Sequence, residues 1–140
     1  MARKNPQTEI AVRTLPPSNM RYPTVGDWYP RKGDKTTMQF DIASMGDIRP
    51  VACVLIHEII EALKCQQDGV TAEQVDKWDL AHLDAEEPGD LSGCPYRRQH
   101  RYASKIELMV ARYLHLKLDD YEKLVERAFA QAERVFKNKK

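Results

Sequence analysis

An apolar segment, residues 51–63, carries one histidine and two glutamates, and this combination restricts the folds open to the chain. Pro50 precedes the segment, and proline suits the first turn of a helix. No helix breaker follows until Gly69, a common residue at the end of a helix. The pattern therefore predicts a helix over residues 51–67. If its charged side chains are buried they need partners, because burying an unpaired charge is costly.

Two of these polar side chains are spaced so that they can share one ligand. At about 100° per residue, His57 and Glu61 lie about 40° apart on the helix. An imidazole nitrogen and a carboxylate oxygen one turn apart can both reach a zinc ion at about 2.0–2.2 Å. Glu58 points elsewhere, in the position of the general base of H-E-x-x-H motifs. The plainer alternative is a hydrogen-bonded pair on a helix surface.

The remaining elements follow the order strands first, helices afterwards. Alternating apolar and polar residues at 9–14 and 37–43 predict two half-buried strands, with a short extended piece at 21–29 between turns. Capping signals and apolar spacing predict three further helices, at residues 71–78, 96–116 and from Asp119 onward. This order predicts an α+β fold, in which a small N-terminal antiparallel sheet is followed by a helical bundle.

Length and composition favour one soluble domain. The 140 residues predict a single domain over 1–140, with residues 1–8 and 137–140 expected to be flexible. The net charge of +1 does not imply a general polyanion-binding surface. No apolar segment is long enough to span a membrane and no secretory signal is evident, so a cytoplasmic location is expected.

Six short segments carry a resemblance: TTMQFDIAS, the turn Gly46-Asp47, HEIIEALKC, DKWDLAH, EEPGD and PYRRQHRYASKIE. With these segments the chain resembles a group of small phage and prophage proteins that look like minimal zincin metallopeptidases. The resemblance covers residues 21–113. It implies a zinc-dependent hydrolase of peptide or amide bonds in a host cytoplasm, with a zincin-like central helix. Where a standard zincin has its second histidine, this chain has Glu61. This replacement makes the site richer in oxygen ligands, and such a site would also accommodate divalent ions other than zinc.

A third protein ligand must come from later in the chain, because a catalytic zinc ion has three protein ligands and an open position. His100, at the start of a predicted helix, is the first candidate, and Glu107 follows two turns later on nearly the same face. The resemblance adds Asp79 as a rival ligand or as an acceptor for an imidazole N–H. Cys53 and Cys65 are within reach by spacing, although small buried thiols are the commoner outcome.

The basic run at residues 97–101 has two interpretations. In a hydrolase, Arg97 or Arg98 would stabilise the oxyanion that forms during the reaction. Alternatively the run would contact phosphate groups, but the acidic residues at 86–90 dilute its charge. A peptide or protein substrate is therefore expected, whereas a membrane or a nucleic acid is not.

A second class of function stays open at this point. The chain could be a non-catalytic phage accessory or binding module that keeps a zincin-like scaffold, with or without a structural ion. A closed shell of four protein ligands would favour this alternative. The apolar stripe of the last predicted helix could pack on its own domain or against a second copy, so both a monomer and a homodimer are compatible with the sequence.

Overall fold

The structure, a computed structural model, describes residues 7–139. Within this range a three-stranded sheet is followed by four α-helices. The strands are β1 (Glu9–Leu15), β2 (Gly26–Arg31) and β3 (Asp34–Ala43), and the helices are α1 (Ile48–Asp68), α2 (Ala72–Ala81), α3 (Arg97–Tyr113) and α4 (Leu118–Asn138). The predicted α+β fold, with its sheet at the N-terminus, is therefore confirmed.

The sheet is mixed, with β3 between the other two strands. Strand β2 pairs with β3 in the antiparallel direction, as predicted, whereas β1 runs parallel to β3 with Glu9 opposite Thr37 and Leu15 opposite Ala43. The expected antiparallel pairing therefore does not hold for β1. Because β3 takes the central position, β1 pairs with β3 instead of with β2, and these two strands run in the same direction.

Strand β1 is more exposed than its alternating pattern predicts. Ile10 is 59% exposed and Val12 is 47% exposed. Both pair with buried residues of β3, so they lie on the sheet face that the helices cover. They belong to an edge strand, which the helices cover only in part, so the prediction of a half-buried strand is wrong for β1. It is also wrong for residues 37–43 of β3, which are buried on both faces of the sheet.

Helix α1 forms where predicted and begins slightly earlier. The carboxylate of Asp47 accepts a hydrogen bond from the backbone N–H of Arg49, which caps the first turn, so Pro50 lies inside this turn. At the other end, Gly69 adopts the left-handed conformation with φ 78°, which glycine tolerates without strain. Helix α1 packs against the sheet and against α3.

The buried face of α1 is the one that carries the polar side chains. His57, Glu58 and Glu61 are each less than 8% exposed, whereas Leu63 is 53% exposed. Along the helix these polar residues lie between two apolar clusters, one that contains Cys53 and another that contains Cys65. The interior of this domain therefore encloses a polar group between two apolar regions.

The ends of the chain are partly outside the described range. Residues 1–6 and 140, which belong to the ends expected to be flexible, lie outside the described residues. Within the described range, the backbone N–H of Thr8 donates to the carbonyl of Thr36.

Helix α4 begins at Leu118, with Asp119 in its first turn instead of at its cap. Among the described helices, none has the length and apolar character needed to cross a membrane.

Candidate metal centre

Three potential metal-ligand atoms converge in the space between α1 and α3. Nε2 of His57 lies 3.1 Å from Oε2 of Glu61 and 3.2 Å from Nδ1 of His100. Oε2 of Glu61 and Nδ1 of His100 are 2.9 Å apart. All three side chains are buried. Helix α1 supplies two of them one turn apart, and the packing of α3 against α1 brings the third. The candidates for the third ligand are His100, Asp79 and Glu107, and the structure brings His100 to His57 and Glu61.

The spacing of these atoms fits a tetrahedral zinc ion. Two ligand atoms at about 2.0–2.1 Å from such an ion are about 3.3 Å apart. The three observed separations fall 0.1–0.4 Å below this value. Two imidazole nitrogens and one carboxylate oxygen also form a donor set found at catalytic zinc ions. The residues present therefore fit a zinc ion, which would need only a slight widening of the cluster.

The outer nitrogen of His57 faces a carboxylate. Its Nδ1 lies 2.7 Å from Oε1 of Glu107, whose other oxygen accepts a hydrogen bond from the hydroxyl of Tyr121. With a metal ion bound, a carboxylate at this place would favour the tautomer with the proton on Nδ1, so that the lone pair of Nε2 would be available to the ion. Glu107 therefore does not join the three converging atoms but orients one of them.

The outer nitrogen of His100 is also turned toward carboxylates. Its Nε2 is buried without a hydrogen-bond partner of good geometry among the described residues, and lies 3.3 Å from Glu87 Oε2 and 3.5 Å from Asp90 Oδ1. These separations indicate ion-pair contacts. With a proton on Nε2, the lone pair of Nδ1 would face His57 and Glu61, so both histidines present the same arrangement.

Glu61 is held in place from the sheet. The indole N–H of Trp28, on β2, donates to Oε1 of Glu61 at 2.9 Å, which leaves Oε2 to face the two histidines. Burial acts to raise the pKa of Glu61, but the contacts with His100 and His57 outweigh burial and lower it. For His100, burial acts to lower the pKa, but the contact with Glu61 outweighs this and raises it to about 10. The group is therefore held together by opposite charges when no ion is bound.

Glu58 lies beside the three converging atoms. Its Oε2 is 3.8 Å from Nε2 of His57, and its side chain is buried. Burial, together with the negative charge of Glu61, raises the pKa of Glu58 well above its ordinary value. Glu58 also lines the cavity at the site, so its carboxyl group is placed to exchange a proton with a water molecule there.

The structure does not bring Asp79, Arg97 or Arg98 to the donor atoms. Both carboxylate oxygens of Asp79 accept hydrogen bonds from tyrosine hydroxyls, one from Tyr22 and one from Tyr96. Burial raises the pKa of Asp79 to about 7. Arg97 donates from Nε to the backbone carbonyl of Asp90, and both arginines line a separate groove. Within the described part of the chain, neither arginine is in the wall of the cavity at the site.

That cavity leaves space beside the donor atoms. Its volume is about 80 Å³, which is room for several water molecules. Residues 24–26, which lead into β2, form one wall. Pro88 and Gly89 form another, and Val125 and Phe129 of α4 form a third. The site therefore combines three possible ligands, a neighbouring carboxylate and space for water or a substrate group.

No protein-family model, curated protein or solved structure that was compared with this chain matches it.

Trp28, Gly26 and Gly89 are among the residues at the site that the sequence did not reveal. Trp28 is an apolar residue by composition, yet a buried indole N–H needs an acceptor, and this requirement is the signal that points to a polar neighbour. Gly26 and Gly89 lie so close to Glu58 and His100 that a side chain has no room. Both glycines stand in segments rich in turn residues, where a local pattern does not distinguish a turn from a close contact.

Proposed function

We propose that this protein is a metal-dependent hydrolase that cleaves peptide or amide bonds with an activated water molecule. The observation that supports this proposal is the convergence of His57 Nε2, Glu61 Oε2 and His100 Nδ1 within 3.2 Å of one another. Glu58 stands next to the three atoms, and the cavity has space for water. The choice of a peptide or amide substrate depends on the resemblance to zincins, which is an analogy of fold and motif.

The roles of the residues follow from their positions. When bound, a zinc ion polarises a carbonyl group and lowers the pKa of a water molecule. Glu58 accepts a proton from the attacking water and then donates a proton to the leaving nitrogen, since its carboxyl group lies beside the three atoms and lines the cavity. Glu107 keeps His57 oriented, and Trp28 keeps Glu61 oriented. Arg97 and Arg98 have no part in this scheme because they line a different surface.

Replacement of Glu58 tests the proposal most directly. In Glu58→Gln the shape of the side chain is kept and the base is lost, so we expect one zinc ion per chain with unchanged affinity and hydrolysis reduced about 100-fold or more. Zinc content is measured by elemental analysis of protein prepared without a histidine tag. Hydrolysis is measured with a library of fluorescence-quenched peptides. His57→Ala is the control that loses the ion. Full turnover by Glu58→Gln, or unchanged zinc content in His57→Ala, would refute the proposal.

One observation favours the second function, a non-catalytic module with a structural ion. Oε2 of Glu58 lies 3.8 Å from Nε2 of His57, so a small movement would make Glu58 a fourth ligand and close the shell. The same variant distinguishes the two functions. If Glu58 is a ligand, Glu58→Gln loses zinc affinity; if Glu58 is the base, the affinity stays and only hydrolysis falls.

A further inference from the structure

A basic groove lies on the exposed side of α3, apart from the candidate metal centre. It has a volume of about 800 Å³, and its walls include Lys64 from α1 together with the first half of α3. The side chains that give the groove its character are five cations and one tyrosine: Lys64, Arg97, Arg98, Arg101, Tyr102 and Lys105. The sequence places four of these cations within nine residues, and the fold adds the fifth from another helix.

Within the described range, none of these five cations forms an ion pair with an acidic side chain. The acidic residues expected to dilute the charge face elsewhere, since the carboxylates of Glu87 and Asp90 contact the ring of His100. One acid at the end of α1, Asp68, accepts a hydrogen bond from Gln99, which also lines the groove. The chain as a whole is nearly neutral, so this groove is a local concentration of positive charge.

Two further features of the groove suit a nucleic acid. The N-terminus of α3 opens into it without a side-chain cap, so the positive end of the helix dipole adds to the charge of the arginines. Tyr102 is 50% exposed and lies under the ammonium group of Lys64, whose Nζ is 5.6 Å from the ring centre. An exposed aromatic ring among cations offers a base a surface for stacking, and the cations offer contacts to phosphates.

We propose that this groove binds single-stranded nucleic acid, with the cations on the phosphodiester backbone and Tyr102 stacked on a base. A base in a single strand can leave its neighbours and reach the ring, whereas the faces of bases in a duplex are covered. The proposal does not depend on the hydrolytic function, because the groove and the metal centre use different residues.

The test is fluorescence anisotropy of a labelled oligodeoxythymidylate and of a labelled duplex, measured with the full chain over a series of salt concentrations. Five phosphate contacts predict a slope of log K against log salt of about −3.5 for the single strand. The variant Arg98→Gln/Arg101→Gln/Lys105→Gln is expected to bind at least tenfold more weakly, with a slope shallower by about 2. Tyr102→Leu is expected to lose about tenfold in affinity with an unchanged slope.

The matched control removes three exposed cations from α4: Lys123→Gln/Arg127→Gln/Arg134→Gln. This control has the same net charge as the groove variant and is expected to bind like the unmodified protein. Thermal unfolding confirms that each variant is folded. Equal losses in the two triple variants would overturn the proposal, as would tighter binding to the duplex or equal competition by polyglutamate. The proposal would also be overturned if the unmodified protein did not bind the single strand at low salt.

Discussion

Two glycines make space for the side chains on which the proposed chemistry depends. A Cβ atom at Gly89 would lie 2.4 Å from Cγ of His100, and a Cβ atom at Gly26 would lie 2.7 Å from Cγ of Glu58. Carbon atoms make favourable contacts at about 3.5–4.0 Å, so either Cβ would force its neighbour to move. Each glycine therefore shapes one wall of the cavity, one beside a proposed ligand and the other beside the proposed base.

The same substitution at these two positions should separate metal binding from catalysis. Gly89→Ala displaces the ring of His100, so we expect zinc affinity to fall about tenfold or more. Gly26→Ala displaces Glu58, so we expect hydrolysis to fall while zinc affinity stays close to that of the unmodified protein. Zinc affinity is measured by competition with a chelator, and each variant serves as the control for the other. The opposite pattern would contradict the assigned roles of His100 and Glu58.

Glu107 contributes to the site through the imidazole that it orients. Glu107→Gln removes the charge from the acceptor of His57 Nδ1, and losses of about 10–100-fold in metal affinity are typical when such an acceptor is changed. We expect a loss in this range in a zinc titration. Tyr121→Phe is the matched control, because it removes the hydroxyl bonded to Glu107 and leaves the Glu107–His57 contact. If Glu107→Gln binds zinc as tightly as the unmodified protein, Glu107 does not orient His57.

Among the elements, α1 is the helix whose orientation matters most for the proposed function, because it carries two of the proposed ligands and the proposed base. A helix on the surface of a domain usually turns its apolar stripe to the core and its charged side to water. Here the side with His57, Glu58 and Glu61 is buried between the sheet and α3, and Leu63 is half exposed. This arrangement is stable only if the polar atoms have partners. Trp28 on β2 is the partner of Glu61, and Glu107 on α3 is the partner of His57.

The strands are joined by a polar contact on the sheet face opposite the helices. Asp41, on β3, accepts hydrogen bonds from the guanidinium of Arg13, on β1, and from the hydroxyl of Tyr29, on β2. The amide of Gln39 donates to the same carboxylate. Burial acts to raise the pKa of Asp41, but these donors outweigh burial and hold the pKa below its ordinary value.

The low pKa of Asp41 predicts how the stability of the fold depends on pH. A carboxyl group whose pKa is lower in the folded state stabilises the fold above its unfolded pKa of about 4, and this contribution is lost as the pH falls through the folded pKa. We expect Asp41→Asn to lower the free energy of unfolding by about 1–2 kcal/mol at pH 7. The difference from the unmodified protein should shrink below about pH 4 in urea unfolding experiments. A difference that is constant between pH 7 and pH 3 would contradict this account.

At the scale of the whole molecule, an ion at the proposed centre would connect parts of the chain that are distant in sequence. The three ligand atoms come from α1 and α3, and the residues that orient them come from β2, α3 and the segment before α3. Binding to the folded state alone stabilises that state by mass action. The stability of the fold should therefore depend on the concentration of zinc.

Thermal unfolding with and without zinc measures this linkage. At a free zinc concentration about 100 times Kd, the fold gains about 2.7 kcal/mol. For a chain of this size, we expect this gain to raise Tm by roughly 8–10 °C. His57→Ala should show no increase with zinc, and Cys94→Ala, which changes a buried thiol outside the cluster, should keep the increase. An equal increase in His57→Ala would place the ion somewhere else.

The end of α1, the start of α2 and the spacing of His57 and Glu61 could be predicted from the sequence, because they depend on residues close together in the chain. Gly69 ends α1, and Thr71 with Gln74 caps α2, as their local patterns predict. One turn of helix between His57 and Glu61 likewise predicts that the two side chains can meet. The role of these residues as metal ligands stays a prediction.

The contacts between residues far apart in the chain depend on the tertiary structure. The packing of α3 against α1 selects His100 over Asp79, because Asp79 is occupied by two tyrosine hydroxyls. The same packing brings the carboxylates of Glu87 and Asp90 close to His100 and leaves the basic side of α3 exposed. A local pattern encodes the period of a helix but not the neighbour that each of its faces will meet, since that depends on how all the elements fill one interior.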